Sequence, residues 1–386
     1  MLAYNKNALY NLFVRSQTSD AYESGATTKE EYAAVLAKYP SQFYTPNFFM
    51  CIGLFILTVV ILIFSIGIIS LAILRIGLDN AITALAILFS SFCFIFLEVL
   101  IRRRKHYHSG VDTALQWSAA IILFSGIAYG TEAHGLLLSI IIFIISLACT
   151  IRYANTLMAT VTFLSFLSIF FFTFSDVGIL AKAILPFVFI VISFVTYFTA
   201  KKINNRRNFT GYEECTLAVE VTSLITLYAA GNYFVVKQMG DLMFNTNFSA
   251  QPMPFRLLFW ILTVAVPLVY LFFGIKNKDA ILLRVGLALI AAIIFTIRYY
   301  HALMPIEAAM TLGGIIMVLV AWALTRYLHT PKYDFTSSET DKRNAPGKAQ
   351  IEALILAQTF SQSHVQNADT KFGGGDFGGG GASGDF

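Results

Sequence analysis

At 386 residues, 57% of them hydrophobic and only 13% charged, the chain lies far from the composition of an ordinary soluble protein. Its formal net charge of +5 does not point to nucleic acid, because the Lys and Arg residues gather in particular loops. Four scattered cysteines, Cys51, Cys93, Cys149 and Cys215, show no CxxC or Cys/His spacing and read as small apolar residues rather than metal ligands.

In chain order, residues 1–47 are mixed polar and predict a short helical segment. Tyr4–Arg15 suits one helix. Thr27 and Glu30 have capping-box spacing for a second helix that stops near Tyr39, before Pro40. Such short helices bury little on their own, so a soluble handle near the membrane surface is expected. No cleavable signal is read, because the first apolar run begins late and is too long for a signal core.

Ten apolar runs follow: Phe48–Leu74, Asn80–Ile101, Thr113–Gly130, Gly135–Thr150, Ala154–Phe174, Val177–Ala200, Cys215–Val236, Pro254–Ile275, Ala280–Tyr300 and Pro305–Leu328. About 20 residues of helix cross a hydrocarbon core of about 30 Å. The runs are apolar on every face and do not alternate, so they predict helices rather than barrel strands. The expected fold is all-α, a polytopic transmembrane bundle of about ten helices. Its halves would be 48–174 and 177–328.

Basic residues end every even-numbered run: Arg102, Arg103, Arg104 and Lys105, then Arg152, then Lys201, Lys202, Arg206 and Arg207, then Lys276 and Lys278. The alternate loops are poor in Lys and Arg. By the positive-inside rule both termini are cytoplasmic.

Two short patterns recur five helices apart. Thr150-Ile151-Arg152-Tyr153 with Leu157-Met158 is echoed by Thr296-Ile297-Arg298-Tyr299 with Leu303-Met304. Leu115-x-Trp117 is echoed by Leu258-x-Trp260. An odd offset places the halves in opposite orientations, the 5+5 inverted repeat of many secondary transporters. Ten helices with both ends inside resemble drug/metabolite-type transporters in topology, a likeness of layout alone.

Ionisable residues inside runs point to function, because each is costly in lipid. Here they are Glu98, Lys182, Glu220, Arg284, Arg298 and Glu307, none at mid-span, and snorkelling to the interface is the plain reading for most. Arg298, Tyr299, Tyr300, His301 and Glu307 crowd one junction. An Arg fork among phenols suits a carboxylate or phosphate, whereas interfacial aromatic anchoring with an Arg298–Glu307 pair is the structural alternative. Pro186 and Pro267 interrupt the sixth and eighth runs as helix-break candidates, each able to kink its helix or free a carbonyl for a ligand, with packing the plainer role. Gly126-x-x-x-Gly130 permits close helix contact. His106-x-His108 lies in a basic loop and is not read as a metal site. No GxSxG, HExxH or GxxxxGK[ST] pattern occurs, so no catalytic activity, cofactor or metal is expected.

Residues 329–386 form a tail with a partial apolar stripe at Ile351, Leu354, Ile355 and Phe360, then the run FGGGDFGGGGASGDF at 372–386. Glycine this dense favours disorder in isolation. The run resembles the Phe/Gly-rich C-terminus of bacterial membrane proteins that bear a TPM domain, which end in GGGxFGGGGASGxW-like runs. No TPM domain is visible, so the phosphatase activity proposed for that domain does not follow. The resemblance implies a bacterial inner-membrane setting and a shared assembly context. Phe372, Phe377 and Phe386 would be captured by a partner in a membrane complex. The expected partners are thus the lipid bilayer and such a complex, with no nucleic acid. The function expected is transporter-like, for a small anionic or lipid-like solute, or that of a non-catalytic assembly subunit.

Overall fold

The computed structural model describes residues 2–23, 28–75, 81–176, 179–204, 211–244 and 255–301, and between 308 and 326 a scatter of positions. Helices α1 (Lys6–Glu23) and α2 (Lys29–Lys38) precede a bundle of long apolar helices: α3 (Phe48–Arg75), α4 (Ala81–Arg104), α5 (Val111–Thr131), α6 (Leu136–Tyr153), α7 (Thr156–Asp176) and α8 (Ile179–Asn204). Then come α9 (Glu213–Gly231), α10 (Tyr233–Phe244), α11 (Arg256–Lys276) and α12 (Ala280–His301). Every described position from 308 to 326 is helical. Among the described residues eight helices are long and apolar enough to cross a membrane, or nine if α9 and the start of α10 count as one span. The chain is a multi-pass, all-α membrane protein. Most of the expected tenth run, Pro305–Leu328, falls outside the described residues, as do Glu307, Phe372, Phe377 and Phe386.

The tightest contacts are between consecutive antiparallel helices: α4 on α5, α6 on α7, α8 on α9 and α11 on α12. All four hairpins turn at the basic loops. Those turns meet one another, which fixes a common basic end of the bundle. The Arg152 guanidinium donates from Nε and from one terminal nitrogen to the two Glu98 carboxylate oxygens at 2.6 and 2.7 Å, joining the ends of α6 and α4. Tyr212 Oη, at the start of α9, donates to the Ile151 carbonyl at 2.6 Å. Lys201 Nζ on α8 donates to Asp279 Oδ2, before α12, at 2.6 Å. Glu98 and Arg152 are therefore a bidentate pair, where the sequence alone offers only snorkelling side chains.

Small residues set the closest approaches. Side chains at Gly126 and Gly130 would collide with Ala86 and Thr83 of α4, so this GxxxG face is the α4–α5 seam. Gly110 sits at φ +87° against the Cys51 carbonyl, a conformation and a contact that only glycine tolerates.

The first residues dock on the basic end of the bundle. Ala3 N donates to the Arg152 carbonyl at 2.7 Å. Tyr4 is buried, and its ring meets Phe43 and Tyr107 edge-on at 6.1 and 5.1 Å. Tyr4 and Leu9 belong to the same apolar cluster as Leu97, Ile101, Leu115, Cys149 and Tyr153. Burial, with Asp112 nearby, pushes the Tyr4 phenol well above its ordinary range, so it is neutral at physiological pH. The capping box is one residue later than the first spacing suggests. Thr28 and Glu31 bond reciprocally, the Thr28 N–H to Glu31 Oε2 at 3.0 Å and the Glu31 N–H to Thr28 Oγ1 at 3.3 Å. Both Thr-x-x-Glu registers are present in the sequence, and the pair that opens the helix at Lys29 is the one used.

Two further expectations change. Helices α8 and α11 run on through Pro186 and Pro267 rather than breaking there. Proline removes one backbone bond per helix, and both prolines are buried among the neighbouring helices. The seventh run, Cys215–Val236, is not one straight helix. It ends at Gly231, and α10 leaves at 74° to α9.

Candidate functional site

The break between α9 and α10 centres on Asn232, which is 2% exposed. Its backbone is extended, φ −79° and ψ 126°, so the helix cannot pass through it. The side chain carries the turn. Asn232 Oδ1 accepts from Phe234 N at 2.9 Å and Val235 N at 3.3 Å, capping α10. Asn232 Nδ2 donates to Tyr228 Oη at 2.8 Å and to Thr296 Oγ1 of α12 at 3.1 Å. The remaining exposed donor, Tyr233 N, reaches Thr263 Oγ1 of α11 at 2.9 Å. Thr263 and Thr296 are themselves buried. A bend at membrane depth is stable only when the backbone groups it releases find partners; here Asn232 and Thr263 supply them, and Tyr228 and Thr296 hold the Asn232 side chain in place.

The hub lies at the end opposite the basic loops. Thr263 is seven residues inside the start of α11 and Thr296 five residues from the end of α12. At about 1.5 Å per residue that is roughly 8–10 Å below the helix ends. Helix α9 alone, at 19 residues, covers about 28 Å. It therefore spans most of the hydrocarbon, and α10 turns away near the far surface.

Around the hub stands an aromatic wall. Tyr233 stacks on Trp260 at 5.0 Å and meets Tyr300 at 5.0 Å. Phe234 meets Tyr299 at 4.8 Å. Two cations rest on this wall, Arg256 over Tyr233 at 5.9 Å and Lys237 over Tyr300 at 5.2 Å. Asp241 lies one turn beyond Lys237 on α10, near enough to Tyr300 to act on its phenol. Tyr300 Oη is buried and makes no hydrogen bond.

The predicted junction is thus partly assembled and partly divided. Tyr299 and Tyr300 join the aromatic wall. Arg298 does not share their partners, because residues two apart on a helix face different ways. It lies one turn from Ile294, the side chain that packs against Gly313 of the following helical stretch, and its Nε is buried without a hydrogen-bond partner. His301 ends α12, and nothing further is described of its side chain. Asn232, Thr263, Lys237 and Arg256 are functional candidates that the sequence reading missed. The one local signal for the break was an Asn, a strong helix-capping residue, directly after Gly231 inside an apolar run.

At the basic end a second buried polar group surrounds the turn from α6 to α7. Asn155 caps α7 through Met158 N at 3.1 Å and donates to Gln116 Oε1 at 3.3 Å. His106 Nδ1 lies 2.7 Å from Ser109 Oγ, and Ser109 in turn donates to the buried Asp112. Burial lowers the His106 pKa below its ordinary value, and Arg104 adds to this against the pull of Asp112. That loop is held by its own hydrogen bonds. No group of three or more His, Cys, Asp or Glu residues suited to a metal occurs among the described residues.

No family model matches the chain, and neither the curated proteins nor the solved structures give a match.

Proposed function

We propose that this is a transporter-like protein of the bacterial inner membrane that binds an anionic solute at the α9–α10 bend. Both termini would lie in the cytoplasm and the bend would face the other side. The observation that carries this reading is the interrupted helix itself. Discontinuous membrane helices are costly, and in transporters they mark solute sites. The charge of the site favours an anion, since Arg256 and Lys237 flank it and Arg298 lies close by in the chain. The orphaned Tyr300 hydroxyl is a free donor for an anion's oxygen.

The inverted-repeat reading is supported by the way both motif pairs meet. Gln116, inside the first Leu-x-Trp, accepts from Asn155, two residues past the first Thr-Ile-Arg-Tyr, at 3.3 Å. Trp260 of the second lies 6.0 Å from Tyr300, which directly follows the other copy. The two arginines have diverged in use, Arg152 in an ion pair and Arg298 with a free Nε. The assembly-subunit reading rests on the 372–386 run and on α3, whose apolar faces are left largely uncovered by the other described helices.

The test uses the full chain in zwitterionic nanodiscs and titrates butyl phosphate while following tryptophan emission. A saturable shift that Arg256→Gln or Lys237→Gln weakens about tenfold, equivalent to about 1.4 kcal/mol, is expected. A response that neither substitution changes, or no response, would remove the anion site.

A further inference from the structure

We infer that the anion is the headgroup of a phospholipid of net negative charge, drawn from the leaflet opposite the basic loops, whose acyl chain lies along α11. This rests on the anion site proposed above and adds the class of its occupant. Leu257, Trp260, Ile261, Val264, Ala265 and Leu268 line a shallow apolar groove. Their spacing of three or four residues places them on one helix face. The face opens outward, with Leu257 74% exposed and Ile261 54% exposed.

Two features tie this groove to the cationic cluster. Trp260 belongs to both, lining the groove while stacking on Tyr233. Arg256 precedes the first groove residue and stands at the end of α11, so charge lies at the surface and the apolar face runs inward from it. From Arg256 to Leu268 the helix advances about 18 Å, close to the roughly 15 Å depth of one leaflet. A small soluble anion would have no use for such a groove beneath its binding site. A phospholipid has the same order of parts at the same depth. Ala265 supplies the hollow, since its neighbours on the face are larger. Lipid chains gain little from apolar contact that they already have in the bilayer. Selection must therefore come from the headgroup, with the groove fixing where the chain lies.

The measurement is quenching of tryptophan by brominated acyl chains, in nanodiscs of the intact protein. Phosphatidylglycerol and phosphatidylcholine, each brominated on its chains, are compared at equal mole fraction. Excess quenching by the anionic lipid, at least twofold, is expected. It should vanish in Trp260→Phe and fall toward the phosphatidylcholine level in Arg256→Gln, whereas Arg256→Lys should retain most of it. Equal quenching by both lipids, with the butyl phosphate response intact, would overturn the lipid assignment and leave the anion site standing. Loss of the butyl phosphate response as well would remove both. Weak quenching of Trp260 by either lipid would show another chain or a second copy covering the groove, and also overturns the inference.

Discussion

Replacing Asp279 by alanine should destabilise the protein by about 2–4 kcal/mol, one of the larger effects of any single side chain at the basic end. Asp279 is only 6% exposed and uses both of its oxygens. Oδ2 accepts from Lys201 Nζ at 2.6 Å, and Lys201 also donates to Tyr197 Oη at 2.9 Å. Oδ1 accepts from Ile281 N at 3.1 Å and Leu282 N at 3.3 Å, which caps α12. Alanine removes the cap and leaves the Lys201 ammonium without its counter-ion. Lys201 keeps 27% of its side-chain exposure, so water offsets part of that loss and the lower half of the range is expected. Asp279→Asn keeps a capping oxygen and loses only the charge, so it should cost less. Adding Lys201→Met to Asp279→Ala should recover stability, because no unpaired charge then remains. Thermal unfolding in detergent checks the order: wild type, then Asn, then the double variant above Ala alone. If alanine matched wild type, the α8–α12 clasp would not be holding the bundle together.

Asn232→Ala should cost about 2–3 kcal/mol and abolish the butyl phosphate response. The substitution removes the cap of α10 and leaves Tyr228 Oη and Thr296 Oγ1 without their donor, in a place that water does not reach. Hydrogen bonds between membrane helices average well under this, about 0.6 kcal/mol each. The larger figure follows because one side chain makes several bonds and its loss strands backbone donors. Asn232→Ser retains a good capping oxygen and should recover part of the stability. A shift in melting temperature that is the same for Ala and Ser would contradict capping as the role of this residue. Retained binding in a folded Asn232→Ala protein would separate the bend from the anion site.

Much of the fold was legible because lipid imposes a simple rule, about 20 apolar residues per crossing. The runs that became α3 to α8, α11 and α12 are near their expected limits, and the basic loops correctly grouped the hairpin turns at one end. The break at Asn232 was hidden for a physical reason. Ala229 to Val236 carries no proline, and what holds the bend lies far off in sequence, Thr263 on α11 and Thr296 on α12. Pro186 and Pro267 lie buried inside continuous helices, in keeping with the packing role that the sequence also allowed. The Arg298 cluster looked continuous because its residues are adjacent in sequence, but a helix turns by about 100° per residue and puts Arg298 on a different face from Tyr300. Glu98 and Arg152, 54 positions apart, could not be paired without knowing that α4 and α6 end together. The docking of Tyr4 was equally invisible, because its pocket is built from Phe43 and Tyr107, which the sequence leaves unconnected.

Side-specific cysteine labelling tests the geometry at the α9–α10 bend most directly. In a background lacking the four native cysteines, Lys237→Cys, Arg103→Cys and Lys276→Cys are each treated with a membrane-impermeant maleimide, in intact cells and after permeabilisation. The expected result is that Lys237→Cys reacts in intact cells while Arg103→Cys and Lys276→Cys react only once the membrane is opened. Reaction of Lys237→Cys from the same side as Lys276→Cys, or protection of it from both sides, would contradict a bend that carries α10 to the far surface.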